Sequence, residues 1–126
     1  MSKTVVHLVD DDSVVRGTLA RLVASGGYSV REYASGRQLL DAADALGGGC
    51  VLLDIDMPEA DGFAVHRALR DRSIDVPVVM MTGAGDLTIL AYRAGVDEFI
   101  QKPFGRSELL SVLDQLSVTS VTGEAA

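Results

Sequence analysis

Short runs of β-branched and apolar residues alternate along this chain with stretches of helical periodicity. That alternation limits the fold more than any other feature. Thr4 to Val9 is one continuous run, Cys50 to Leu53 a second and Val76 to Met81 a third. Runs of this length without polar alternation suit strands of a parallel sheet, buried on both faces. Tyr28 to Tyr33 is more polar and alternating, as an edge strand would be, and Glu98 to Gln101 is a short fifth candidate.

Helical patterns fill the intervals. Val15, Leu19 and Leu22 fall at i, i+4 and i+7, behind Asp12 or Ser13 as the cap. Ser35 and Gln38 form a capping box ahead of Leu39, Leu40, Ala43 and Leu46, and Gly47 to Gly49 stops that helix. Asp61 can cap a helix containing Val65 and Leu69, while Leu109, Leu113 and Leu116 give the last helix its apolar stripe. The sum is a strand–helix unit repeated five times. Right-handed crossovers then place helices on both faces of one sheet. The expected fold is a single-domain, flavodoxin-like, doubly wound (βα)5 parallel sheet with strand order 2-1-3-4-5, whose site lies outside the carboxyl ends of the strands. Residues 1–118 are expected to form the domain. Residues 119–126 are expected to be a flexible tail, because Val118 to Ala126 is small and polar with no helical stripe.

The 126 residues fit one domain with a real core, built from Val, Leu, Ile, Ala and Met because there is no Trp. A net charge of -7 gives no basic footprint, so direct nucleic-acid binding is not expected. Cys50 is the single cysteine, which excludes an internal disulfide. No charged leader precedes a long apolar run, and no run approaches the ~18 residues of a membrane span. The expectation is a cytoplasmic protein without membrane contact.

The acids are distributed unevenly. Asp10 and Asp11 follow the first apolar run, and Asp54 closes the third. In a parallel sheet these positions project from one edge, where like charges raise one another's pKa unless a cation or proton intervenes. A hard divalent cation resolves that conflict, and Mg²⁺ takes a few carboxylates and a carbonyl while keeping several waters. A cap for the first helix needs only one acid, which leaves the others unexplained. Thr82 and Lys102 arrive at the ends of the fourth and fifth runs. Singly they read as a backbone-bonded hydroxyl and a solvated lysine. Together with the acids they can hold a phosphoryl group, whose transfer depends on positioning and charge neutralisation. His7, inside the first strand, reads as a packed core histidine and His66 as a surface residue of the third helix.

The ordered segments Val9-Asp10-Asp11-Asp12, Leu53-Asp54-Ile55-Asp56-Met57-Pro58, Asp61-Gly62, Met81-Thr82-Gly83, Ala94-Gly95 and Lys102-Pro103-Phe104 resemble the receiver domains of bacterial two-component response regulators. They are most similar to FixJ-type receivers, which share Val-Asp-Asp-Asp, Tyr-Ala-Ser after the second strand and Thr-Gly-x-Gly-Asp after the fourth. The resemblance implies that Asp54 is the phosphoacceptor. It implies Mg²⁺, with Mn²⁺ as a substitute, held by Asp11 and Asp54, by the Asp56 backbone carbonyl and by Asp10 through water. It further implies that Lys102 and Thr82 contact the phosphoryl group, that Phe99 is a switch aromatic and that the Lys102–Pro103 peptide is cis. The implied partners are a sensor histidine kinase and a second copy bound through the face of the fourth helix, fifth strand and fifth helix. The domain would be a signalling phosphoacceptor that catalyses only its own phosphotransfer and dephosphorylation. Its output would be transcription if it belongs to a longer FixJ-like protein.

Three departures stand out. The stretch Asp86 to Ala94 is about two residues shorter than the family's usual length, equivalent to roughly 200° of helix rotation. Asp56 adds a second acid beside the acceptor, with an expected effect on Mg²⁺ affinity and dephosphorylation. Gly105 replaces a frequent capping acid, which places the start of the last helix near Ser107. The sequence admits two rival readings. A non-phosphorylated pseudo-receiver is kept open by the short fourth helix and opposed by the intact Asp11, Asp54, Thr82 and Lys102. A phosphatase similar to haloacid dehalogenases is suggested by Asp54-Ile55-Asp56, but that family carries its motif on the first strand.

Overall fold

The computed structural model describes residues 3–46, 49–55, 62–83 and 95–125. Strands β1 (Lys3–Val9), β2 (Tyr28–Tyr33), β3 (Cys50–Asp54), β4 (Val78–Thr82) and β5 (Glu98–Gln101) form one sheet in the order β2-β1-β3-β4-β5. All neighbouring strands are parallel. Val9 lies opposite both Tyr33 and Leu53, Asp54 opposite Met81, and Thr82 opposite Gln101, so the strand ends emerge nearly level at one edge. This is the flavodoxin-like order expected from the apolar runs. β3 and β4 are buried along their whole length, while β2 is half-exposed as an edge strand is.

Helices α1 (Ser13–Ser25), α2 (Gly36–Asp41) and α3 (Gly62–Asp71), a 3-10 turn (Ala43–Ala45) and a C-terminal helix (Arg106–Ala125) cover the sheet. α1 and the C-terminal helix pack on Leu8, Leu52, Val79 and Met81. α2, the 3-10 turn and α3 pack on Val9, Leu53, Val78 and Met80. The alternation of side chains along each strand divides the core between the two faces. Each fully buried Leu, Val or Met contributes roughly 1.5–3 kcal/mol. Cys50, buried at the start of β3, is a core residue, and burial pushes its thiol up to about 12. Among the described residues no helix is long and apolar enough to cross a membrane.

Local chemistry sets the helix ends. Asp12 caps α1 by accepting from the backbone N–H of Val14 and Val15. At α2, Ser35 Oγ accepts from Gln38 N–H, and Gln38 Oε1 returns to accept from Ala34 N–H. The periodicity from Leu39 to Leu46 does not give one helix. Ala42 N–H is shared between the carbonyls of Gln38 and Leu39, and the chain tightens there into the 3-10 turn. β4 starts at Val78 rather than Val76, because Pro77 has no N–H to give the ladder; its carbonyl still accepts from Val51 N–H. The buried stripe of α1 is Leu19 and Val23, with Val15 exposed on the first turn. The C-terminal helix begins at Arg106, one residue before the expected Ser107, with Gly105 supplying the first helical carbonyl to Leu109 N–H. Its backbone stays helical to Ala125, through the segment expected as a tail; no proline interrupts it.

The C-terminal helix is tied to α1 and β2. Arg106 donates to Ser25 Oγ at 2.8 Å, and Tyr28 donates its hydroxyl proton to Asp114 at 2.5 Å. α3 approaches β3 closely through Gly62: a Cβ there would lie 2.8 Å from Ile55 Cα and 2.4 Å from its Cγ2. Gly62→Ala should therefore destabilise the domain by about 1–3 kcal/mol, read as a lower urea midpoint at unchanged slope.

His7 is buried as expected and its Nδ1 lies 2.9 Å from the Tyr33 hydroxyl. His66 corrects the surface assignment: it is only 3% exposed. It adjoins Val65 and precedes Leu69 by one turn, so the close seating of α3 draws it into the same buried stripe. Its Nε2 is buried and has no hydrogen-bond partner among the described residues. Burial first, and then Arg31 at His7 and Arg70 at His66, hold both imidazoles below their usual 6.5, with Asp97 opposing at His66. The unfolded chain then binds these protons more readily than the folded one. Stability should be fully present above about pH 6.5 and should fall as the pH drops below it. Urea titrations at about pH 5.5 and about pH 7.5 should show this loss, and His66→Leu should reduce it.

Candidate functional site

Asp10 is the first residue beyond β1, and the ladder extends to it because its N–H donates to Tyr33 O at 3.1 Å. Its side chain turns into the molecule and is 1% exposed. Oδ1 accepts from Asp12 N–H at 2.9 Å, while Oδ2 is buried without a hydrogen-bond partner among the described residues. Burial is the main cause that raises the Asp10 carboxyl above its ordinary value; the Asp12 N–H opposes it, Asp54 and Asp11 add to it, and Lys102 subtracts. Asp54 ends β3 with 4% exposure, and Asp11 stands exposed on the loop. One carboxylate oxygen from each of Asp10, Asp11 and Asp54 lies within 4.8 Å of the others.

Opposite charge comes from the residue that follows β5. Lys102 Nζ donates to Asp54 Oδ1 at 3.1 Å, and Lys102 N–H donates to Thr82 O at 2.7 Å. That backbone bond holds the ends of β4 and β5 together. Thr82 is buried at 1% exposure. The Lys102–Pro103 peptide is cis, as the resemblance implied. Phe99 lies opposite Met80, half-buried against the core beneath α2 and α3. The structure thus brings Asp10, Asp11 and Asp54 together, joins Lys102 to Asp54 and sets Thr82 on the neighbouring strand end. Asp56, Asp61 and the Asp86–Ala94 stretch lie outside the described residues.

One residue escaped the sequence reading. Arg16, on the first turns of α1, donates from Nη1 to the Asp10 carbonyl at 2.8 Å, and its Nε pairs with Glu32 at 3.4 Å. An arginine four residues past a cap ordinarily reads as a solvated helix position, and only the short loop between β1 and α1 turns it back over Asp10.

Three converging carboxylates, one with a bare buried oxygen, form a donor set of the kind a hard divalent cation takes. A doubly wound sheet with such a strand-end site defines a class, and the particular family follows from comparison. The chain matches the response regulator receiver domain over residues 6–114 and belongs to that family of two-component signalling domains. It is 36% identical to the transcriptional regulatory protein FixJ of Azorhizobium caulinodans over 86% of this chain and 52% of that protein. It is 38% identical to the tetrathionate response regulatory protein TtrR of Salmonella typhimurium over 91% of this chain and 57% of that one. The chain spans about half the length of the curated relatives it matches. Among solved structures, FixJ-N superposes with a TM-score of 0.86 at 31% identity, covering 93% of this chain and 95% of that one. Vibrio cholerae CheY4 gives 0.81 at 26%, covering 90% and 98%. The family membership sets aside the haloacid-dehalogenase-like reading, whose motif belongs on a first strand, and does not favour the pseudo-receiver.

The bare oxygen has a consequence for stability. A folded-state carboxyl pushed above its unfolded value costs stability once the pH exceeds the unfolded value, and protonation relieves the cost. Asp10→Asn should therefore stabilise the metal-free domain at neutral pH, by on the order of 1–3 kcal/mol, in urea unfolding with a chelator present.

Proposed function

We propose that this receiver takes a phosphoryl group onto Asp54 from a sensor histidine kinase, in a reaction that requires Mg²⁺. The observation that carries the reading is the Lys102–Asp54 contact of 3.1 Å inside a cluster that also holds Asp10 and Asp11. Asp11 and Asp54 would hold the cation directly, Asp10 through water, and the Asp56 carbonyl would complete the protein ligands; Mn²⁺ would substitute. When bound, the cation supplies charge neutralisation between the carboxylates and the phosphoryl oxygens.

The chain's own groups do the remaining work. A carboxylate oxygen of Asp54 forms the new P–O bond as the P–N bond of the donor phosphohistidine breaks, and the released imidazole takes up a proton. Lys102 shifts its ammonium from the carboxylate toward the incoming phosphoryl oxygens. Thr82 donates its hydroxyl to the phosphoryl group, and Phe99 follows it inward. A ligand that contacts one conformation more than another shifts the population by that difference. The altered surface would include β5 and the C-terminal helix, where a second copy would bind. The resulting output is control of transcription where the domain is joined to a DNA-binding partner domain; the receiver itself does not bind nucleic acid, and it works in the cytoplasm.

Incubation with acetyl phosphate and Mg²⁺ should add one phosphoryl mass to the protein, and Asp54→Asn should abolish the gain. Thr82→Ala should keep the gain and lose the accompanying shift in the Phe99 ring resonances. An unchanged mass in the parent protein would overturn the assignment.

A further inference from the structure

We propose that Arg16 is a positioning residue for the cation site: it acts through the backbone of Asp10, and not as a charge near the metal. The inference rests on the Mg²⁺-dependent reading above and adds to it a residue that contacts neither the cation nor the phosphoryl group.

The geometry is a closed circuit of hydrogen bonds. Asp10 Oδ1 accepts from Asp12 N–H at 2.9 Å. Asp12 caps α1 through Val14 and Val15, and Asp12 O accepts from Arg16 N–H at 2.8 Å. Arg16 then turns its side chain back and donates from Nη1 to Asp10 O, also at 2.8 Å. On the other side, Asp10 N–H is held by Tyr33 O at 3.1 Å. The backbone N–H, the carbonyl and one carboxylate oxygen of Asp10 are thereby fixed. The remaining oxygen, Oδ2, is the one left buried and, among the described residues, bare. A cation site needs its outer acid aimed before the ion arrives, and bonds of this outer kind orient ligands.

Glu32 completes the device. Its pair with Arg16 Nε, at 3.4 Å, ties the guanidinium to β2, so Arg16 bridges the edge strand and the acid loop. A guanidinium can serve both partners with its fixed fork, whereas an ammonium can serve the carbonyl but lacks the second, rigidly placed donor.

Two effects of Arg16 on a divalent cation oppose each other in sign, which makes the proposal decidable. As a charge near three carboxylates, Arg16 repels the cation, and its removal tightens binding. As the brace of Asp10, its removal loosens binding, by about tenfold on the scale of outer-shell partners. Mg²⁺ dissociation constants would be measured by calorimetry on the whole chain and its variants, beside urea unfolding in chelator. The expected result is that Arg16→Met weakens Mg²⁺ binding about tenfold while Arg16→Lys recovers part of the loss. Glu32→Gln, which leaves the Arg16–Asp10 bond available, should stay much nearer the parent. Equal or tighter binding by Arg16→Met, in a variant that urea shows to be folded, would overturn the proposal. So would a loss that Arg16→Lys does not relieve. Failure of the parent protein itself to bind Mg²⁺ would instead overturn the underlying reading. If Arg16→Met does not fold, Arg16→Lys against Arg16→Gln gives the same comparison.

Discussion

A parallel sheet sends every strand in one direction, so the residues that follow the strands accumulate at a single edge. Here that edge receives Asp10, Asp11, Asp54, Thr82 and Lys102 above a sheet whose central strands are buried throughout. The apolar layer below removes the water that would otherwise screen the acids, and the like charges are left in close quarters. The other arrangements follow from this conflict. Lys102 offsets Asp54, Asp12 N–H takes one oxygen of Asp10, and the second oxygen stays without a partner among the described residues. The native state carries a local electrostatic cost, and a bound cation is the form of relief that leaves the acids ionised.

The surroundings of the site are held from both halves of the fold. On the β1 side, Asp10 is fixed through Tyr33, Asp12 and Arg16, and the C-terminal helix is tied to α1 and β2 through Arg106 and Tyr28. On the β4–β5 side, the strand ends are joined by the backbone bond from Lys102 to Thr82, with Phe99 half-buried one row deeper.

The strand order and the acids were legible because both depend on pattern. Continuous apolar runs identify buried parallel strands, and an acid immediately after such a run has only one edge to occupy. Helix limits were less legible. Ala42 gave no sign that its N–H would be shared and the helix tightened, and Gly105 looked a poorer start for a helix than it is. The polarity of His66 points outward where its position one turn before Leu69 points inward, and the approach of Gly62 to Ile55 that seats α3 is a tertiary contact with no local signature. Arg16 was missed for a related reason. Its role lies in a bond back to the backbone of Asp10, whereas composition and spacing report side-chain chemistry facing forward into a site.

Cys50 begins the central strand, deep in the sheet, and burial suppresses its thiolate. It is also the chain's single cysteine. Its side chain lies in the core under α1 and the C-terminal helix, so a thiol reagent reaches it only when that part of the core opens. The rate of its alkylation therefore counts openings of the core between the sheet and these two helices, and the protein carries its own clock for how often that layer comes apart.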